Sequence, residues 1–213
     1  MTTHAAAVHG HEGVAPGQAE GISRGMAGMV LFIASEIMLF AGLFAGYFYV
    51  RNQADSWPPA GIEKTPSVTL AIILTVLLIS SGVLGHMGII ALRGGRYLGI
   101  NTGNRLGLMW GIGLAIVLGL IFIGLQAYEW LNLFDEGLTA KSGVYGSTFF
   151  ILTGFHGAHV IAGLAMLMVV FVRATWRDFT PHRHLFADAA IMYWHFVDFV
   201  WILLVIVVYI FGT

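Results

Sequence analysis

The chain has 213 residues, of which 58% are hydrophobic and 10% are charged, and its mean hydropathy is +0.83. This composition is far more apolar than that of an ordinary soluble domain and indicates a membrane protein. The formal net charge of −1 argues against a nucleic-acid partner. Because the chain has no cysteine, disulfides, thiolate iron–sulfur clusters and thioether-attached haem are excluded.

The N-terminal segment differs in composition from the rest of the chain. Residues 1–24 are polar and small, contain His4, His9 and His11, and lack an apolar core, so a signal peptide is not expected. Three scattered histidines fix no metal geometry. We expect residues 1–24 to be a flexible polar tail and residues 25–213 to form a single transmembrane domain.

Five later segments each exceed the roughly 20 apolar residues that a transmembrane helix needs. The fold class predicted from them is an all-α integral membrane bundle of five transmembrane helices. The predicted spans are Gly25–Val50, Ser67–Leu92, Leu106–Leu133, Val144–Val172 and Ala189–Phe211.

The Lys and Arg residues of the short loops predict how the bundle is oriented. Most of them lie on the side of the N-terminus, whereas only Arg51, Lys64 and Lys141 lie on the other side. Because cytoplasmic loops carry the excess of positive charge, the N-terminus is predicted to be cytoplasmic. Five spans then place the C-terminus outside.

Two of the spans contain carboxyl groups. Glu36 lies near the middle of the first span, where a carboxyl group is either protonated or paired. It is a proton site or a partner of a histidine, or else a neutral acid that donates one hydrogen bond in a helix interface. Gln126 and Glu129 share one face of the third span near its outer end, beside Trp130. Water can reach that depth, so we expect an interfacial structural hydrogen bond.

The fourth and fifth spans contain histidines. His156 and His159 are three residues apart, and His195 lies three residues before Asp198. These residues could ligate a metal or a b-type haem. A di-iron bundle, however, needs Glu-x-x-His on two helices and more acids than this chain has. We therefore favour hydrogen bonds between helices, including one from His195 or His159 to an acid, and predict no metal and no catalytic residue.

Two loops contain candidates for contacts with lipid headgroups. Trp57 precedes two prolines in the longest connection, and an aromatic side chain there suits the membrane interface. Before the fifth span, His182, Arg183 and His184 lie in a predicted cytoplasmic loop that suits anionic lipid phosphate. The alternative that stays open is that these residues only give the cytoplasmic loop its positive charge and bind no lipid phosphate.

Six short motifs occur along the chain in a defined order. Together they resemble those of subunit III of haem–copper cytochrome c oxidases, and the resemblance extends from about Val30 to the C-terminus. Any one motif is weak, but six in order are specific. They are Phe32-x2-Ser35-Glu36, Trp57-Pro58-Pro59-x-Gly61, Gly124-Leu125-Gln126-x2-Glu129, Gly143-Val144-Tyr145-Gly146-Ser147-Thr148-Phe149-Phe150, Thr153-Gly154-Phe155-His156-Gly157-x-His159-Val160 and Tyr193-Trp194-His195-Phe196-Val197-Asp198.

The resemblance implies an architecture. Members of this family commonly have seven helices, with a lipid-filled cleft between the first two helices and the other five. This sequence is similar to a shorter bacterial form without the first two. It departs from many relatives in the loop before the last helix, where Arg183 separates His182 from His184 and Asp188 stands in place of a glutamate.

The same resemblance implies a role in which haem and copper belong to partner subunits and the chain itself binds neither. It would pack against oxidase subunit I in a complex with subunit II and further subunits of a bacterial cytoplasmic membrane. It would also hold structural phospholipids and support proton uptake. Glu36 resembles the buried acid of the family, and the remaining polar residues correspond to its internal polar network: Gln126, Glu129, His156, His159, His195 and Asp198.

Other functions stay open at this stage. Subunit III of a quinol oxidase shares the five-helix form, and a nitric oxide reductase accessory protein has a similar fold. An independent proton transporter built on Glu36 predicts internal repeats or broken helices, and no repeat is obvious in the sequence. A stand-alone membrane enzyme with haem or iron predicts a cofactor that the purified chain retains.

Overall fold

The computed structural model of the protein describes residues 24–59, 62, 65–181 and 183–212. The prediction for the N-terminal tail and the candidate His182 therefore lie outside the described residues. Five helices in the described part are long and apolar enough to cross a membrane, which confirms the predicted spans. They are α1 (Arg24–Asn52), α2 (Val68–Gly94), α3 (Asn104–Asp135), α4 (Val144–Thr175) and α5 (Leu185–Leu204), and α5 continues as a π-helical segment over Val205–Ile210.

The last helix differs from its prediction at both ends. It begins at Leu185 instead of Ala189, and Asp188 lies in its first turn, where the helix dipole favours a carboxylate. Its final turn widens into the π-helical segment, in which the Phe211 N–H donates to the Ile206 carbonyl at 3.0 Å. A run of apolar residues carries no signal for this change, since both kinds of helix suit hydrocarbon.

A short β-hairpin joins α2 to α3, and the all-α prediction did not include it. Its strands, β1 (Arg96–Tyr97) and β2 (Ile100–Asn101), pair antiparallel. Leu98 and Gly99 form the turn with φ angles of 50° and 82°, a geometry that favours glycine at the second position. The Arg96 guanidinium donates to the Gly99 carbonyl at 2.8 Å and so holds the turn closed.

Glycines allow α2 and α3 to pack backbone against backbone. Gly88 and Gly111 face each other, and a Cβ atom at Gly111 would lie 2.7 Å from the Gly88 nitrogen. Small residues are the usual means by which transmembrane helices approach closely. The contact therefore fixes how α2 and α3 are rotated relative to each other.

The centre of the bundle is occupied by tryptophans of α5. Trp194 and Trp201 are fully buried, and a buried indole N–H needs a partner. Trp194 Nε1 donates to Ser81 Oγ at 2.9 Å, and Trp201 Nε1 donates to Thr75 Oγ1 at 3.1 Å. Both partners belong to α2, so these bonds set the position of α5 against α2.

The first helix lies at the edge of the bundle. Only 6% of its most apolar stretch is buried, compared with 61% for the last helix. The buried side chains Phe40 and Tyr47 attach it to the bundle, and the Tyr47 hydroxyl donates to the Val207 carbonyl at 3.3 Å. Trp57 Nε1 in turn donates to the Tyr47 hydroxyl at 3.2 Å. The headgroup candidate Trp57 is thus partly buried beside the C-terminal end of α1.

Candidate functional site

Glu36 of α1 and His159 of α4 form a hydrogen-bonded pair between the two helices. His159 Nε2 lies 2.8 Å from Glu36 Oε2, and His159 Nδ1 lies 2.6 Å from the Phe155 carbonyl oxygen. Because a carbonyl only accepts, Nδ1 donates, and one further proton must lie between Nε2 and Oε2. Both nitrogens of this imidazole are therefore used within the chain.

Glu129 of α3 accepts three hydrogen bonds inside the bundle. Its Oε1 atom accepts from the Ser67 N–H at 3.2 Å, and its Oε2 atom accepts from Gln126 Nε2 at 3.1 Å and from the Tyr209 hydroxyl at 2.9 Å. Interfacial water was expected to reach Glu129, but the residue is only 3% exposed, and protein donors take the place of that water. The carboxyl group ties α3 to the start of α2 and to the π-helical segment.

Asp198 of α5 lies against α2 and pairs with His195 one turn earlier. His195 Nδ1 lies 3.2 Å from Asp198 Oδ2. The carboxyl group packs on the backbone of Gly82, where a Cβ atom would collide with Oδ2. Asp198 is 8% exposed, and among the described residues its Oδ1 atom has no hydrogen-bond partner. This acid–histidine pair is therefore incomplete within the chain.

His86 of α2 adds a second imidazole to this cluster. Its ring centroid lies 5.5 Å from that of His195, and both side chains reach the surface between α2 and α5. Within the described residues, His86 makes no hydrogen bond. The sequence did contain a signal for it, because an ionisable residue inside a predicted span marks a functional candidate.

His156 is enclosed among aromatic rings. It stacks on Trp201 with ring centroids 5.0 Å apart, and Phe122 packs edge-on at 6.0 Å. The residue is 1% exposed, and neither ring nitrogen has a hydrogen-bond partner in the part of the chain that the structure describes. Trp201 and Phe122 thus pack directly on the His156 ring.

A charged cluster lies where α2 ends and α5 begins. Arg93 Nη2 donates to both oxygens of Asp188 at 3.1 and 3.2 Å, and Arg93 Nε donates to His184 Nε2 at 3.1 Å. Of the headgroup candidates, His184 is thus held by Arg93. The Arg183 backbone N–H donates to the Thr180 carbonyl at 3.0 Å, and Arg183 is exposed.

The structure distributes the predicted polar residues over separate sites. It brings Glu36 to His159, Gln126 to Glu129 and His195 to Asp198, and it leaves His156 among rings. In the described ranges, no group of three or more His, Asp or Glu side chains is placed to hold a metal ion.

Comparison with known protein families gives a match over almost the whole chain. The family model described as cytochrome c oxidase subunit III matches residues 6–213. The chain belongs to the cytochrome c oxidase subunit III family. The resemblance drawn from the six motifs is thereby confirmed.

Individual relatives agree with the family model. The chain is 42% identical over 185 residues to the cytochrome c oxidase subunit 3 of Corynebacterium diphtheriae, and the match covers 85% of each chain. It is 38% identical to a probable subunit 3 from Nocardia farcinica, again over 85% of each. The match to subunit 3 of Rhizopus stolonifer, at 38% identity, covers 90% of this chain and 66% of that protein.

The motifs of this subunit III chain contain the three polar pairs but not all of the groups around them. Ser67 and Tyr209, which donate to Glu129, lie outside all six motifs. So do His86 and Gly82, which contact His195 and Asp198. The sequence therefore identified the acids and their paired residues, but not Ser67, Tyr209, His86 and Gly82 around them.

Proposed function

We propose that this chain supports a haem–copper cytochrome c oxidase of a bacterial cytoplasmic membrane without holding a redox centre of its own. In this role it packs against the catalytic subunit I, retains structural phospholipid and assists proton uptake. The N-terminus faces the cytoplasm and the C-terminus faces outside. Haem and copper belong to its partners.

The observation that carries this proposal is that the acids within the spans are engaged in hydrogen bonds. Glu129 accepts three of them, Glu36 is bonded to His159, and Asp198 is bonded to His195. A group that binds a metal must keep its lone pairs available for the ion. The arrangement therefore suits residues that hold helices together better than residues that bind a cofactor.

Assistance to proton uptake is supported by the Glu36–His159 pair. One proton lies between His159 Nε2 and Glu36 Oε2, and a small shift of that proton changes the charge on both groups. The side chains are 13% and 18% exposed, for His159 and Glu36 respectively, so the pair lies near the surface of the chain. A neighbouring subunit can thus lie within reach of it.

Phospholipid retention is supported by the basic residues where α2 ends and α5 begins. Arg93 has a side chain that is 57% exposed although it is paired with Asp188, and Arg183 is exposed in the adjoining loop. Clustered Arg residues beside transmembrane helices attract anionic headgroups. The same excess of positive charge supports a cytoplasmic location for this end of the bundle.

Purification of the tagged chain in mild detergent tests the proposal. We expect the reduced-minus-oxidised visible spectrum of the complex to show haem bands, and the complex to oxidise cytochrome c. After harsher detergent removes the partner subunits, the remaining chain should show no haem bands and contain no copper or iron. Haem or metal retained by the stripped chain would overturn the proposal, and oxidation of quinol in place of cytochrome c would overturn its electron donor.

A further inference from the structure

We propose that one face of the bundle is the contact surface for a transmembrane helix of another oxidase subunit, and that this helix presents a hydroxyl or amide side chain to His86 and His195. The face, named here the α2–α5 face, is formed by His86, Ile90, Met192 and His195. The inference rests on the proposed function, since the complex supplies the partner helix.

The two imidazoles lie at a depth where lipid cannot satisfy them. His86 precedes the end of α2 by about 12 Å of helix, and His195 follows the start of α5 by about 15 Å. Because the hydrocarbon core is about 30 Å thick, these distances place both residues inside it. The His195 side chain is 43% exposed, and ionisable groups at this depth normally face protein. Acyl chains are therefore poor occupants of this face.

The described residues leave hydrogen-bonding atoms of the two imidazoles unused. They supply one bond, between His195 Nδ1 and Asp198 Oδ2, and none to His86. An imidazole has one donor and one acceptor nitrogen when neutral. A hydroxyl or an amide on the partner helix can satisfy either one.

The position of the polar groups along the face favours a helix over a phospholipid. A groove of about 370 Å³ runs along it and is lined by His86, Ile90, Arg93, Met192 and His195, among others. Its apolar middle accepts the side chains of a helix, while the imidazoles meet the polar group. A phospholipid whose phosphate lay at Arg93 would leave the deeper imidazoles against acyl chains, which offer them no hydrogen bond.

Site-specific photocrosslinking in native membranes tests what covers the face. A benzophenone amino acid replaces Ile90, and in a control chain it replaces Val117 on the groove between α3 and α4. These two side chains are 54% and 52% exposed. We expect the probe at Ile90 to join another polypeptide of the haem-containing complex at least about tenfold more than the probe at Val117.

The same samples distinguish failure of the proposed function from failure of the inferred interface. A purified complex without haem bands would overturn the proposed function and, with it, the inferred interface. A complex with haem bands in which Ile90 joins only lipid, or in which Val117 joins protein equally, would overturn the interface alone.

Two variants of His86 test the polar contact. Since His86 makes no hydrogen bond within the described residues, neither variant should unfold the chain. One net hydrogen bond corresponds to a change of roughly two- to tenfold in an equilibrium. We expect His86→Leu to reduce retention of the chain in the complex by about that factor under harsher detergent, and His86→Asn to preserve it. Equal retention of both variants, or equal loss, would overturn the contact.

Discussion

Two acid–histidine pairs in the same bundle differ in how complete they are. Glu36 and His159 join α1 to α4 at 2.8 Å, and the other nitrogen of His159 bonds to the Phe155 carbonyl at 2.6 Å. His195 and Asp198 both belong to α5 and lie 3.2 Å apart. The His195 side chain is 43% exposed, compared with 13% for His159.

We therefore expect the first pair to stabilise the isolated chain and the second pair to be completed by a neighbouring subunit. The Glu36–His159 pair crosses between two helices and uses every nitrogen of its imidazole. The His195–Asp198 pair lies on one helix and leaves the His195 side chain exposed. Ionisable groups within a membrane normally face protein. The second pair is therefore where we expect the complex, rather than the isolated chain, to gain stability.

The largest loss of stability is expected when a side chain at position 82 takes the space that Asp198 occupies. A Cβ atom at Gly82 would collide with Asp198 Oδ2 and lie 3.2 Å from His195 Nδ1. Overpacking a tight contact typically costs about 1–3 kcal/mol, so we expect Gly82→Val to lower the free energy of unfolding by about 3 kcal/mol. Unfolding of the purified chain in mixed detergent and SDS micelles measures it.

The matched control for Gly82 is Gly42 on α1, where a Cβ atom would meet nothing within 4 Å. We expect Gly42→Val to change the free energy of unfolding by less than about 0.5 kcal/mol, because glycine and valine differ little in helix propensity. A similar loss in both variants would mean that glycine in these helices matters for reasons other than the carboxyl group.

Removal of the carboxyl group of Asp198 should have the next largest effect. In Asp198→Leu, His195 Nδ1 loses its acceptor, and we expect the free energy of unfolding to fall by about 2 kcal/mol. In Asp198→Asn the amide oxygen can still accept, so the loss should stay below about 1 kcal/mol. Equal values for the two variants in the same unfolding assay would show that only the volume of Asp198 matters.

Changes to Glu36 test the Glu36–His159 pair, in which both imidazole nitrogens have partners. In Glu36→Gln the amide can donate to His159 Nε2, which keeps the bond, so we expect a loss of about 0.5–1 kcal/mol and normal assembly. Glu36→Leu leaves that nitrogen unpaired and should cost more. Assembly is measured as the yield of haem-containing complex that carries the tagged chain. Loss of the complex in Glu36→Gln would show that a charged carboxylate is required.

The sequence was most informative where the bilayer itself imposes the structure. A span needs a long apolar run whatever it packs against, so five helices could be predicted from local composition. The hairpin at Arg96–Asn101 was missed because strands of two residues carry almost no pattern. The π-helical end of α5 was missed because its apolar residues suit either helix.

The partners of the polar residues were harder to predict from the sequence, because contacts between helices depend on how the helices are rotated. The sequence predicted that His195 or His159 would bond to an acid, and the structure shows both bonds. It could not say that Glu36 would be the acid bonded to His159, since that depends on how α1 packs against α4. Nor could it foresee that Tyr209, beyond the last turn of α5, would bond to Glu129.

The smallest effect is expected at His156, a buried histidine that is paired with no acid among the described residues. Its ring lies between Trp201 and Phe122, and its nitrogens have no hydrogen-bond partner among the described residues. Replacing a buried polar group by an apolar one of similar shape is nearly neutral when no partner is left behind. We expect His156→Phe to change the free energy of unfolding by less than about 0.5 kcal/mol. His159→Phe, which leaves the Glu36 carboxyl group without its partner, should lower it by about 1–3 kcal/mol in the same assay. If His156→Phe were the more damaging change, the imidazole of His156 would have a hydrogen-bonding role that its aromatic surroundings do not account for.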